Sequence, residues 1–188
     1  MKMNETLIVI KNRRSIRKYK AKQIGDAELK AIIEAALYAP NAMNQQRWHF
    51  TVVQNKAMLD RFVSIIKENI QNSGIEFLIE RVKAPDYHTF HHAPTVIFVT
   101  GDGKAKFMEI SCGAAAQNIA LAAASLNIGS CVMTSPEFLF ASDKGNALKK
   151  ELGIPDGYNF ICSMALGYND GDIPVTPPRD KKVINYIK

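Results

Sequence analysis

Cysteine is scarce in this chain, with three in 188 residues. Cys112, Cys131 and Cys162 sit inside apolar stretches and have no CxxC spacing. That is the pattern of reduced, buried thiols, and it points to a cytoplasmic protein. Long apolar runs are also missing. The longest, Cys112 to Leu126, is too short to span a bilayer and contains Gln117 and Asn118. The opening MKMNETLIVIKNRRS lacks the long apolar core and small-residue cleavage site of a signal peptide. A soluble protein with no membrane partner is expected. There is no internal repeat, no low-complexity segment and no large excess of either charge. The net charge of +6 is modest, with Lys and Arg clustered at Lys11–Lys22 and at Arg179–Lys188. Such ends suit a phosphorylated small ligand or simple solubility, and nucleic-acid binding is the remote alternative.

Familiar catalytic signatures are absent as well. No GxSxG elbow, Walker loop, HExxH or GxGxxG occurs, and Gly101-Asp102-Gly103 lacks the third glycine of a dinucleotide turn. Hydrolase, kinase and dinucleotide-fingerprint dehydrogenase chemistry therefore has no support. The hydrophobic fraction of 47% is ample for a packed core. The length fits one domain over residues 1–188, or half of an obligate dimer.

What is present reads as helices alternating with strands. Asn4 can cap a short helix carrying Leu7 and Ile10, and Asp26 is the predicted N-cap of a second. In that second helix Leu29, Ile32, Ile33, Ala36 and Leu37 follow the 3.6-residue period, and Pro40 ends it. Trp48–Val53 has strand composition. Met58, Leu59, Phe62, Val63, Ile66 and Ile70 mark a third, amphipathic helix. Residues Gly74–Pro94 form a partly helical excursion. Thr95–Thr100 is a continuously apolar strand of the kind covered on both faces. Glu109–Leu126 is a helix with almost no polar face, which must be buried all round, in a large core or across a subunit boundary. A strand at Gly129–Met133, a helix at Lys144–Leu152 stopped by Gly153, and a strand at Tyr158–Leu166 follow. The tail with Pro174, Pro177 and Pro178 reads as an extended arm. The sum is an α+β or three-layer sandwich with helices covering a mixed sheet.

Two stretches carry candidate chemistry. In Arg13-Arg14-Ser15-Ile16-Arg17, guanidinium forks and a hydroxyl can surround a phosphate and leave one cation for a carbonyl edge. A solvated basic helix end is the plainer alternative. In Pro40-Asn41-Ala42-Met43-Asn44-Gln45-Gln46, the amides offer donors and acceptors of the kind a flavin's uracil-like edge requires. An ordinary polar loop, with Trp48 in the core, is the alternative there. His88, His91 and His92 have no firm carboxylate partner, so a metal site is not expected. Gln117 and Asn118 need hydrogen-bond partners inside an apolar helix.

RRSIRKY followed by APNAMNQQRWHF resembles the two N-terminal motifs of the FMN-dependent nitroreductase family. FHHAPTVIFVTGD, CGAAAQNIALAAASLNIGSCVM, LKKELGIPDGYNFICSMALGY and PPRDKKVINYI continue the likeness in the family's order over nearly the whole chain. The resemblance implies an α+β three-layer sandwich around a central mixed, mostly antiparallel sheet, in a homodimer with an extended C-terminal arm. FMN would lie between subunits, with NADH or NADPH as electron donor. Carried over, Arg13 and Ser15 match positions that hold the FMN phosphate. Arg14 matches one near the ribityl–phosphate, and Arg17 one near the pyrimidine edge. Pro40, Ala42, Asn44 and Gln46 match a loop reaching the flavin from the other subunit. Met133 and Thr134 match the segment passing the ring near N5, and Arg179 a second phosphate contact. The chain departs from most relatives with Arg47 for Pro, Ser111 for Asp and Asn127 for Gly, and Arg47 could add positive charge near the pocket.

The resemblance further implies that the flavin carries the chemistry, with hydride delivered to N5 and no catalytic side chain. The acceptor would be a small oxidised molecule such as a nitroaromatic or quinone, reduced by ping-pong exchange. A flavin reductase or a specialised flavin enzyme of the same fold is the alternative.

Overall fold

The first three helices start where a short side chain or a nearby carboxylate satisfies a free amide. A computed structural model describes residues 4–188. Helix α1 (Glu5–Asn12) begins with Asn4 Oδ1 accepting from the Leu7 amide at 3.0 Å. Helix α3 (Lys56–Gln71) begins with Asn55 Oδ1 accepting from Met58 at 3.0 Å. Helix α2 (Asp26–Leu37) differs from expectation: Gly25, not Asp26, is the N-cap. The reason lies three residues on, where the Glu28 carboxylate accepts the Gly25 amide at 2.8 Å and draws the helix start back by one residue.

Four strands, β1 (Trp48–Val53), β2 (Thr95–Asp102), β3 (Gly129–Met133) and β4 (Tyr158–Gly167), form one sheet in the order β1-β2-β4-β3. Every neighbouring pair is antiparallel. The mixed sheet expected from the sequence is thus antiparallel throughout its ladders, and parallel pairing is confined to an isolated bridge between Ser15 and Ser130. No long crossover is needed to bring Ser15 there, because a single extended segment passes along the edge.

Strand β2 is covered on both faces, as its unbroken apolar run requires. Val96 and Phe98 point into a layer with Phe62, Val63 and Ile66 of α3. Ile97 and Val99 point into the opposite layer with Ile32 of α2 and Cys112, Ala115 and Ile119 of α5 (Met108–Ser125). Phe98 is fully buried, with the rings of Phe62, Phe90, Phe140 and Phe160 each 6.0–6.5 Å away. Short helices α4 (Glu76–Val82) and α6 (Gly145–Glu151) complete the α3 side.

Helix α5 is not buried all round within one chain. Ala115, Ala116, Ile119 and Ala123 face the sheet and α2, and Asn118 Nδ2 donates to the Ala35 carbonyl of α2 at 2.9 Å. Ile110 is 71% exposed, and Gly113 and Gln117 share its open face. Asn127 ends the helix at φ 58°, with the Ile128 amide reaching back to Ala123 O at 2.8 Å. Asparagine tolerates this left-handed position better than other residues with a Cβ, so it can do a glycine's work there. Residues 170–188 are exposed and form neither helix nor strand, in keeping with the expected arm.

Candidate functional site

The stretch from Arg13 to Lys20 leaves α1 extended and is bound along the outer edge of β3. The Ile16 amide donates to Ser130 O at 2.9 Å, and the Lys20 amide to Tyr168 O at 2.9 Å. Tyr19 Oη donates to Ile16 O at 2.6 Å inside the core. Gly129 permits this approach, since a Cβ there would stand 3.0 Å from the Ile16 side chain. The backbone of the arginine cluster is therefore fixed on both sides.

Its side chains divide into two roles. Arg14 turns back on α1, with Nη1 donating to Lys11 O at 2.7 Å and Arg13 O at 2.6 Å. These two Nη1 contacts satisfy carbonyls at the negative end of the helix. Arg13, Ser15 and Arg17 alternate with Arg14 and Ile16 along the extended segment, Ser15 is bridged to Ser130 of β3, and Arg17 shares a groove with Cys131. Burial pushes the Cys131 thiol up, while the Arg17 and Arg13 cations and hydrogen bonding with Arg17 and Ser15 pull it the other way. Arg13 Nε and Arg14 Nε are closed off from solvent and have no acceptor among the described residues. Buried N–H groups of this kind call for an anionic or carbonyl oxygen, and the donor set of Arg13 and Ser15 fits a phosphate.

Met133 is buried and Thr134 exposed where β3 ends. Together with Arg17 and Cys131 they line a groove of about 910 Å³, which Phe77 of α4 and Tyr87 also line. The sequence had presented Phe77, Arg81 and Tyr87 only as part of a mixed excursion. The histidine-rich stretch within it was the one signal that this segment does more than connect.

The Pro40–Gln46 loop is not brought to this groove in the single chain. It leads into β1, at the opposite edge of the sheet from β3. Three inter-strand steps separate those edges, about 14 Å. The loop is held in an unusual shape, with Met43, Asn44 and Gln46 at φ 54°, 51° and 51° and the Gln46 amide donating to Asn41 Oδ1 at 2.9 Å. Positive φ at three non-glycine residues is costly and gathers at functional sites. Pro40, Asn44 and Gln46 are exposed and Ala42 half-buried. Arg179 lies in the exposed tail.

Arg47 does not add free charge to the groove. Its Nη1 pairs with Asp102 Oδ2 at 3.0 Å, and Asp102 is held below the usual carboxylate range first by the Lys104 amide and then by Arg47. His88 stacks on His92 with ring centres 3.9 Å apart and reaches Asp60 at 3.5 Å. Burial, then the cation beside it, lowers His91 to about 4, the largest neighbour being Arg17. Among the described residues there is no group of three or more His, Cys, Asp or Glu that could hold a metal ion, and no helix long and apolar enough to cross a membrane.

The profile of the Nitroreductase family matches residues 10–168. A nitroreductase from Bacteroides fragilis, solved with bound FMN, superposes with a TM-score of 0.93 at 34% identity over 99% of this chain and 100% of its own. A nitroreductase from Desulfitobacterium hafniense, also with bound FMN, gives 0.90 at 35% identity with full coverage of both chains, 100% each. A curated relative from Archaeoglobus fulgidus, provisionally named an NADH dehydrogenase/NAD(P)H nitroreductase, is 32% identical over 96% of this chain and 89% of its own.

Proposed function

The chain belongs to the nitroreductase family, and from that premise we propose that it is an FMN-dependent oxidoreductase that carries electrons from NADH or NADPH to small oxidised acceptors such as nitroaromatics and quinones. The observation that carries this reading is the extended Arg13–Arg17 segment, bridged through Ser15 to Ser130 at the edge of β3, with Arg17 in the groove that Met133 and Thr134 line. The two superposing structures with bound FMN support the choice of cofactor. When bound, FMN supplies a ring that accepts and returns electron pairs.

The chain's own residues would bind and orient that ring. Arg13 and Ser15 donate to the phosphate, and Arg179 of the tail adds a second cation. Arg17 places positive charge by the pyrimidine edge, where it favours the added negative charge of reduction. Met133 and Thr134 form one wall. The amides of Asn44 and Gln46, with Pro40 and Ala42 shaping their loop, reach the ring from a second copy of the chain. Three facts favour that homodimer: the loop and the arginines occupy opposite sheet edges, α5 leaves Ile110 open, and the tail exposes Val175 (91%) and Ile187 (93%). Residues 1–188 act as one such domain, in the cytoplasm, where three free buried cysteines stay reduced.

The purified protein should be yellow, release FMN on denaturation and sediment as a dimer. Initial rates with nicotinamide and a quinone should give parallel double-reciprocal lines, because both substrates use one pocket in turn. A colourless protein that takes up no FMN would overturn the reading, and a monomer that retains FMN would overturn the shared site.

A further inference from the structure

Arg81 takes no part in the flavin contacts proposed above, yet it lines the same groove as Arg17, Met133 and Thr134. It stands in the last turn of α4 and is exposed. Neither Arg81 nor Arg17 forms an ion pair among the described residues, whereas Arg47 and Arg61 do. Three carboxylates line the groove as well, Asp86, Glu137 and Asp170, and none of them neutralises either guanidinium. Lys18 lines the groove too, so its formal charges balance, and it is the freedom of the Arg81 fork from any ion pair among the described residues that leaves it able to meet an anion.

His91 stands within the influence of both. After burial, Arg17 and Arg81 are the largest causes that push its imidazole down to about 4. At neutral pH it is uncharged and retains one N–H donor. It is held there by an uncommon backbone, at φ 53°, with its amide donating to His88 O at 2.8 Å. Phe77 and Tyr87 supply aromatic surface in the same groove.

We infer that Arg81 and His91 form an anion subsite for the acceptor, next to the Arg17 already assigned to the flavin, so that the preferred acceptors are aromatic molecules carrying a carboxylate. The aromatic body lies against Phe77 and Tyr87, and the carboxylate meets Arg81 with the His91 N–H beside it. This rests on the flavin reading of the groove and narrows its substrate class. A phosphate of the nicotinamide donor has the same chemistry, and the test separates the two.

The holoprotein, with no nicotinamide present, is titrated calorimetrically with 4-nitrobenzoate and with 4-nitrobenzamide, which differ in charge but little in shape. At low salt the anion should bind about tenfold tighter, as one charge-assisted contact allows. The ratio should shrink as salt is added. R81Q should bring it to within about twofold, and R81K should retain much of it. If R81Q does not fold, R81M carries the same expectation. Equal binding of the two ligands by the unaltered protein, or a ratio that survives loss of the Arg81 charge, would overturn the subsite. So would an R81Q variant that keeps its acceptor ratio and loses only discrimination between NADPH and NADH. A chain that takes up no FMN would defeat the flavin reading alone, and the same two titrations on that chain would still decide the anion subsite.

Discussion

Replacing Arg13 with alanine should weaken FMN ten- to a hundredfold and leave riboflavin almost unaffected. Arg13 Nε is buried with no acceptor among the described residues, so its hydrogen bond is available to a ligand phosphate at no cost to another contact. Charge-assisted bonds contribute about 1.5–3 kcal/mol each, which sets the range. The flavin-free variant should be no less stable than the parent, because the substitution also removes an unsatisfied buried donor. Arg179→Ala should show the same selectivity for the phosphorylated flavin. Fluorescence titration of the flavin-free protein with each ligand measures both. Equal losses for FMN and riboflavin would mean that Arg13 supports the fold and not the phosphate.

Phe98→Ala should destabilise the protein by about 3–5 kcal/mol, the range for truncating a buried aromatic. Phe98 is completely buried in the central strand, ringed by Phe62, Phe90, Phe140 and Phe160. Deleting it removes packing between the sheet and α3 and opens a cavity that four neighbouring rings cannot collapse into. A typical domain has about 5–15 kcal/mol of stability, so the variant would be marginal. Phe98→Leu keeps most of the volume and should cost markedly less. Guanidinium unfolding of the three proteins gives the comparison. A loss below about 1 kcal/mol in Phe98→Ala would contradict its place at the core centre.

Local structure in this chain was legible because its causes act over a few residues. The Asn4 cap bonds an amide three positions away, and the apolar period of α3 was visible before any packing was known. The same locality explains the errors. Asp26 has a good capping side chain, but Glu28 captured Gly25 instead. Helix α5 reads from its sequence as buried in a core or across a subunit boundary, and hydropathy alone does not say which of its faces meets the sheet and which stays open in the single chain. Of the three positive-φ residues in the Pro40–Gln46 loop, Met43 and Gln46 were equally invisible, since methionine and glutamine do not announce left-handed backbone as glycine or asparagine does.

By itself the sequence determined the α+β character, the strand positions, the ordered family motifs and the residue types able to hold a phosphorylated flavin. Tertiary structure alone decided how the cations are used. Arg14 Nη1 is engaged by carbonyls at the end of α1, and Arg47 by Asp102 on another strand. Arg13 and Arg14 each keep a buried Nε without an acceptor among the described residues, and Arg17 and Arg81, far apart in the chain, share one groove with His91. An arginine's composition and spacing are the same in every case. What differs is which oxygen lies within about 3 Å of its planar fork, and that distance is set by strand order and packing.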